Sequence, residues 1–115
     1  MELVVDLSTG GVALRRREEM QRFSVQAMAL GPGDGAFDAL AAALSAHDVG
    51  TMGPDGDVMV PVGAVRRLAG DAARDDGTAL DADWELAFAD MVEYAASKGW
   101  TAEDGSLRAH VEWEG

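Results

Sequence analysis

Leu3, Val5 and Leu7 alternate with Glu2, Val4 and Asp6, a period of two that predicts a strand with one buried face. Ser8-Thr9-Gly10-Gly11 follows. Adjacent glycines accept the positive φ of a tight turn, so Val12-Ala13-Leu14 reads as the returning strand of a hairpin. From Arg15 to Leu30 two patterns compete. Met20, Phe23, Ala27 and Met28 fit a helical stripe, whereas Phe23, Val25, Ala27 and Ala29 fit one face of a strand. The alternation through Phe23-Ser24-Val25-Gln26 favours a strand from about Arg22 to Leu30, stopped by Gly31-Pro32-Gly33-Asp34-Gly35.

Asp34 is then placed to N-cap a helix with Phe37, Leu40, Ala41 and Leu44 on its buried stripe, closed by Gly50 as a left-handed cap. Gly53-Pro54-Asp55-Gly56 leads into a short strand from Asp57 to Val60. Pro61 suits the first turn of a second helix carrying Val65, Leu68 and Ala69 and ending before Gly70. Asp71 to Thr78 contains acids, an Arg and a Gly but no bulky apolar residue, and reads as a solvated loop. The cleanest stripe is Trp84, Phe88, Met91, Val92 and Ala95, which predicts a helix from about Asp81 to Ser97 with acids at its N-terminal end and Lys98 at its C-terminal end. A last strand places Leu107, Ala109, Val111 and Trp113 on one face and Arg108, His110 and Glu112 on the other.

Laid on itself at an offset of 49, the chain matches Ala46 with Ala95, Gly50 with Gly99, Asp55 with Asp104 and Gly56 with Gly105. Both stretches read helix, Gly, Asp-Gly turn, strand, which helix-cap and turn chemistry also favours without any duplication. The element order predicts a single α+β domain over residues 1–115, with a mostly antiparallel sheet and helices packed on one face.

Composition narrows the functional classes. Hydrophobic residues make up 48% of the chain, but 21 are Ala, leaving 34 bulky apolar side chains for 115 positions. A core that small, with a terminal strand expected at the sheet edge, predicts a homodimer. The net charge of −12 argues against nucleic acid or an anionic membrane as partner and leaves a basic protein partner open. That charge is uneven: residues 1–33 balance, whereas residues 77–115 carry −7. Without Cys there is no disulfide or thiolate site, and without a long apolar run no membrane span or leader is expected, so the expected location is cytoplasmic.

Candidate chemistry is sparse. Gly31-Pro32-Gly33-Asp34-Gly35-Ala36 has the form of a dinucleotide loop, but Pro32 removes an amide donor, Asp34 adds negative charge, and no basic residue lies between Arg22 and Arg66. The Asp-rich stretch from Asp71 to Asp83 misaligns with the calcium-loop pattern, so no cofactor and no metal is expected. His47 falls near a buried helical stripe, and His110 shares a strand face with Glu112 as an acid/base pair would. These three are the only candidates for catalysis. Trp100, after Gly99, is placed either to seal the end of the third helix, the favoured reading, or to sit exposed in a contact surface. The residues favour a binding or accessory protein without a catalytic constellation. The alternative is a small cofactor-independent enzyme with an apolar pocket between sheet and helices.

Overall fold

Asp6 closes the first turn: its Oδ1 accepts from the Ser8 amide (2.9 Å) and hydroxyl (2.6 Å), while Gly10 takes a φ of 77°. The turn joins β1 (Glu2–Asp6) to β2 (Gly11–Arg15) as an antiparallel hairpin, with Leu3 opposite Leu14 and Val5 opposite Val12. A computed structural model of the chain describes residues 1–29, 35–53, 55–102 and 104–114. Further elements are β3 (Ser24–Met28), α1 (Ala36–Ala46), β4 (Thr51–Met52), β5 (Val58–Val60), α2 (Val62–Asp75), α3 (Ala82–Ser97) and β6 (Leu107–Glu114). Among the described residues the six strands form one sheet in the order β2-β1-β3-β6-β5-β4.

The fold is α+β, but the sheet is mixed and not mostly antiparallel. β3 runs parallel to both β1 and β6, while β5 pairs antiparallel with β6 and β4. Val25, Gln26 and Ala27 are consecutive and all buried: the strand is flanked on both edges, Val25 and Ala27 belong to the core, and Gln26 is held between Ser24 and Glu112. Nor is the C-terminal strand an edge. β6 lies between β3 and β5, and the edges are β2 and β4. The dimer argument from an uncovered terminal strand therefore loses its premise.

Leu3, Val5, Val25, Ala27, Val58, Val60 and Ala109 are completely buried, and they join Leu40 and Leu44 of α1, Val65 and Ala69 of α2, and Phe88 of α3 in one apolar cluster. α2 runs on through the stretch expected to be a loop, because Ala69 and Ala73 are buried with no exposure and small side chains suffice there. Its turn chemistry is Pro61 at the N-cap. α1 starts behind Gly35 (φ 80°), whereas the expected cap Asp34 and the loop Gly31–Asp34 lie outside the described residues. At its other end the left-handed residue is Asp48 (φ 53°), not Gly50. Gly50 is needed for a different reason: a Cβ there would stand 2.7 Å from the Met59 carbonyl oxygen.

α3 follows its predicted bounds, with Asp81 Oδ1 accepting from the Trp84 amide at 2.8 Å as an N-cap. Trp84 stacks on Phe88 at 4.9 Å, and its indole Nε1 donates to the Arg17 carbonyl at 2.8 Å, tying α3 to the connection between β2 and β3. The Met1 nitrogen holds the same connection through the carbonyls of Glu19 and Arg22. Arg66 of α2 lies over the Phe88 ring and pairs with Glu85 at 3.1 Å.

The offset of 49 reappears in three dimensions. Met52 pairs with Val58 and Thr101 bridges Leu107; Gly53 donates to Asp57 (2.6 Å) and Ala102 to Ser106 (2.8 Å); Gly56 and Gly105 take φ values of 83° and 86°. Within the sheet Val58 opposes Ala109 and Val60 opposes Leu107, so the two units exchange equivalent positions about the Met59–Arg108 pair. The correspondence is thus a local pseudo-two-fold of turn and strand. The helices depart from it, since their caps, His47 and Lys98, fall off the offset.

Two stability outcomes follow from this packing. Phe88→Ala is expected to cost about 3–5 kcal/mol in denaturant melts, and a loss below about 1 kcal/mol is incompatible with its buried position. Gly50→Ala is expected to cost roughly 1–3 kcal/mol by the same measurement, because either β5 or the chain before β4 must shift to clear the Met59 carbonyl.

Candidate functional site

Because side chains alternate along a strand, the register that buries Leu107, Ala109 and Val111 turns Arg108, His110 and Glu112 to the opposite side. β3 and β1 align their own residues with them. Glu2, Ser24 and His110 form one row across β1, β3 and β6, and Val4, Gln26 and Glu112 form the next. Arg15 extends the first row on β2, with its Nη2 3.1 Å from Glu2 Oε1. Continuing the β5–β6 register by one residue brings Asp57 opposite His110, and Asp57 Oδ1 lies 3.9 Å from His110 Nδ1 and its Oδ2 3.7 Å from Arg108 Nε. A polar ribbon therefore crosses β2, β1, β3 and β6 and ends at Asp57, the residue before β5.

β6 is fixed in this register at its start. Asp104 Oδ1 accepts from the Ser106 amide at 2.9 Å, Gly105 supplies the positive φ, and the Arg108 amide donates to the Trp100 carbonyl at 2.9 Å. The Ser106 amide, and secondarily its hydroxyl, hold the Asp104 carboxyl below its ordinary pKa.

At this end of the sheet a cleft of about 500 Å³ opens between the ribbon and the C-terminal half of α3. One wall is apolar and aromatic: Met20 and Phe23 from the β2–β3 connection, Met91 and Tyr94 from α3, and Trp100. The other is polar, with Asp57, Arg108, His110 and Glu112, and Arg22 beside them. Tyr94 and Trp100 meet edge to face at 5.8 Å and remain about half exposed (56% and 48%). The Trp100 ring does not seal the helix and takes the exposed alternative; only its backbone amide closes the helix end, donating to the Ala95 carbonyl.

A second hollow of about 230 Å³ adjoins the cleft and shares Arg22, Ser24 and Glu112 with it. Gln26 lines it although only 3% exposed, its Nε2 donating to Ser24 Oγ (3.1 Å) and to Glu112 Oε2 (3.0 Å). Glu2 Oε1 is shielded from solvent and, among the described residues, has no aligned hydrogen bond; Arg15 Nη2, 3.1 Å away, compensates its charge.

Of the three residues proposed from sequence, the structure brings His110 and Glu112 to the cleft and leaves His47 elsewhere. His47 is exposed at the end of α1, where Nε2 donates to the Gly10 carbonyl at 2.8 Å and ties the helix to the β1–β2 turn. Ser24, Gln26, Asp57, Arg22 and Tyr94 were not singled out. Only the alternation through Phe23-Ser24-Val25-Gln26 signalled that Ser24 and Gln26 share a face, and nothing local placed that face beside β6. Among the described residues no three His, Asp or Glu side chains converge on a metal position. Among the described residues no helix is long and apolar enough to cross a membrane. Comparison of the chain with family models, with curated proteins and with solved structures gives no match.

The Asp104 turn generates a pH-dependent outcome. Its folded pKa is depressed, so its contribution to stability is full above the ordinary value of 3.8 and disappears as pH falls through the lower folded value. Carboxyl titration followed by NMR is expected to show Asp104 titrating below its value in an Asp104-containing unstructured peptide. Equal midpoints would mean that the Ser106 contacts are not maintained in solution.

Proposed function

We propose that this chain is a small, non-catalytic binding protein that engages a basic protein partner, with the cleft beside α3 as its recognition surface. The observation that carries the reading is the exposed Tyr94–Trp100 pair at the rim of the cleft, next to Asp90 and Glu93 on the exposed side of α3. Half-exposed aromatic rings flanked by acids suit a partner segment that combines a cationic and an apolar side chain. Tyr94 already attracts such a group, since Lys98 Nζ lies 5.5 Å from its ring centre. The net charge of −12 adds a long-range attraction for basic partners and a repulsion for nucleic acid. In this reading the helices cover the Leu3/Val5 face of the sheet, leaving the Glu2/Gln26/Glu112 face for recognition, and the location is cytoplasmic. With β6 interior, a homodimer is not needed to cover a bare terminal strand, and the chain acts through its cleft.

One observation favours the alternative, a cofactor-independent enzyme: His110 and Asp57 approach within 3.9 Å inside the cleft. His110 would be the base and Asp57 its orienting carboxylate. Among the described residues no hydrogen bond links that pair or joins His110 to Ser24, so the binding reading is preferred.

Fluorescence anisotropy with a Lys/Arg-rich peptide containing one aromatic residue checks the proposal. Binding is expected to weaken as salt rises, to be absent for a Glu-rich peptide, and to drop roughly tenfold in Trp100→Ala. Equal binding of the two peptides, or an unchanged affinity in Trp100→Ala, would falsify it.

A further inference from the structure

The hollow beside the cleft carries a more specific requirement than the aromatic rim. Its charges are of both signs, so a ligand of one sign meets like charge there. Glu2, Glu19 and Glu112 line it with carboxylates, Glu112 held in place by the buried Gln26 amide, and the Met1 ammonium adds a positive charge already bonded to the Glu19 and Arg22 carbonyls. Arg16 and Arg22 are largely exposed at the same hollow, with Arg16 Nε 3.8 Å from Glu2 Oε1. An anion entering alone meets three carboxylates, and a cation entering alone meets two guanidinium groups and the Met1 ammonium; both pay a like-charge penalty on top of desolvation. A ligand carrying an ammonium and a carboxylate a few Å apart satisfies both sets. At about 230 Å³ the space accommodates such a head group without a large substituent.

The substituent has its own place. Arg22, Ser24 and Glu112 belong to both cavities, so a group attached to the head group passes directly into the cleft, where Met20, Phe23 and Met91 form an apolar lining. We propose that the two cavities together bind a free α-amino acid with a large apolar or aromatic side chain. Its ammonium group sits against Glu2 and Glu112, its carboxylate against Arg16 and Arg22, and its side chain among Met20, Phe23 and Met91. Both readings use the cleft, but they fail separately, because binding of a small zwitterion and binding of a basic peptide are measured in different experiments.

Isothermal titration calorimetry on the whole chain tests it with four probes: L-phenylalanine, phenethylamine, 3-phenylpropanoate and glycine. L-phenylalanine is expected to bind saturably, one per chain. The probes lacking the carboxylate, the ammonium or the ring should each bind about tenfold more weakly or worse, the scale of one charge-assisted contact or one buried ring. Glu112→Gln should weaken L-phenylalanine without weakening 3-phenylpropanoate, and Arg22→Ala should weaken L-phenylalanine without weakening phenethylamine. Arg22 is exposed, so its variant also serves as the folded control, verified by an unchanged thermal melt. Absence of L-phenylalanine binding at millimolar concentration overturns the proposal. So does equal affinity for any of the three analogues, or parental affinity in both variants.

Discussion

The insertion of β6 between β3 and β5 is the interaction on which the rest of the structure depends. Its eight residues supply Leu107, Ala109 and Val111 to the core and Arg108, His110 and Glu112 to the polar side. Because side-chain direction has a period of two, slipping the strand by one residue would exchange those sets, burying three ionisable groups and exposing three apolar ones. The register is pinned from outside the strand: by the Asp104–Ser106 turn, by the Trp100 carbonyl and by the Thr101 bridge. Core and cleft are therefore two readings of one pairing, and a change that loosens the turn before β6 disturbs both.

The local part of this arrangement was readable from the sequence. The Gly10–Gly11 hairpin, the α3 stripe beginning at Trp84 and the alternation in β6 all rest on contacts within a few residues, where periodicity and turn chemistry act. What failed to show was non-local. Nothing near Ser24 announces a partner 86 residues away, yet the side-chain bond between Gln26 and Glu112 spans that separation and creates the floor of the polar hollow. The extent of α2 failed for a different reason. A search for bulky residues passes over Ala69 and Ala73, although close helix packing is met by small side chains. Of the candidate chemistry, His110 and Glu112 could be placed on one strand face, but their neighbours Asp57 and Ser24 required the sheet order.

Net charge and local charge also have to be separated. The chain as a whole is strongly acidic, but the polar face of the sheet is nearly balanced, with Arg15, Arg16, Arg22 and Arg108 set among Glu2, Glu19, Asp57 and Glu112. The acid excess lies instead on exposed positions such as Asp83, Asp90 and Glu93 of α3. Long-range attraction and short-range selection are thus assigned to different parts of the surface. Salt screens the first beyond about a Debye length, roughly 8–10 Å, and affects partly buried contacts of the second much less.

The place of β6 has a consequence for how the chain reaches its native state. During synthesis β1, β2 and β3 emerge first, and β4 and β5 next, but β3 and β5 each keep an unpaired edge until residues 107–114 have left the ribosome. Closure waits on the most distant contacts in the chain, which favours slow folding over fast. Until then two apolar strands, Val25–Ala27 and Val58–Val60, offer free backbone groups to any other extended segment. A ribosome that stalls or terminates before Leu107 would release a chain with an open seam in the middle of its sheet, and such a product is a substrate for aggregation or proteolysis.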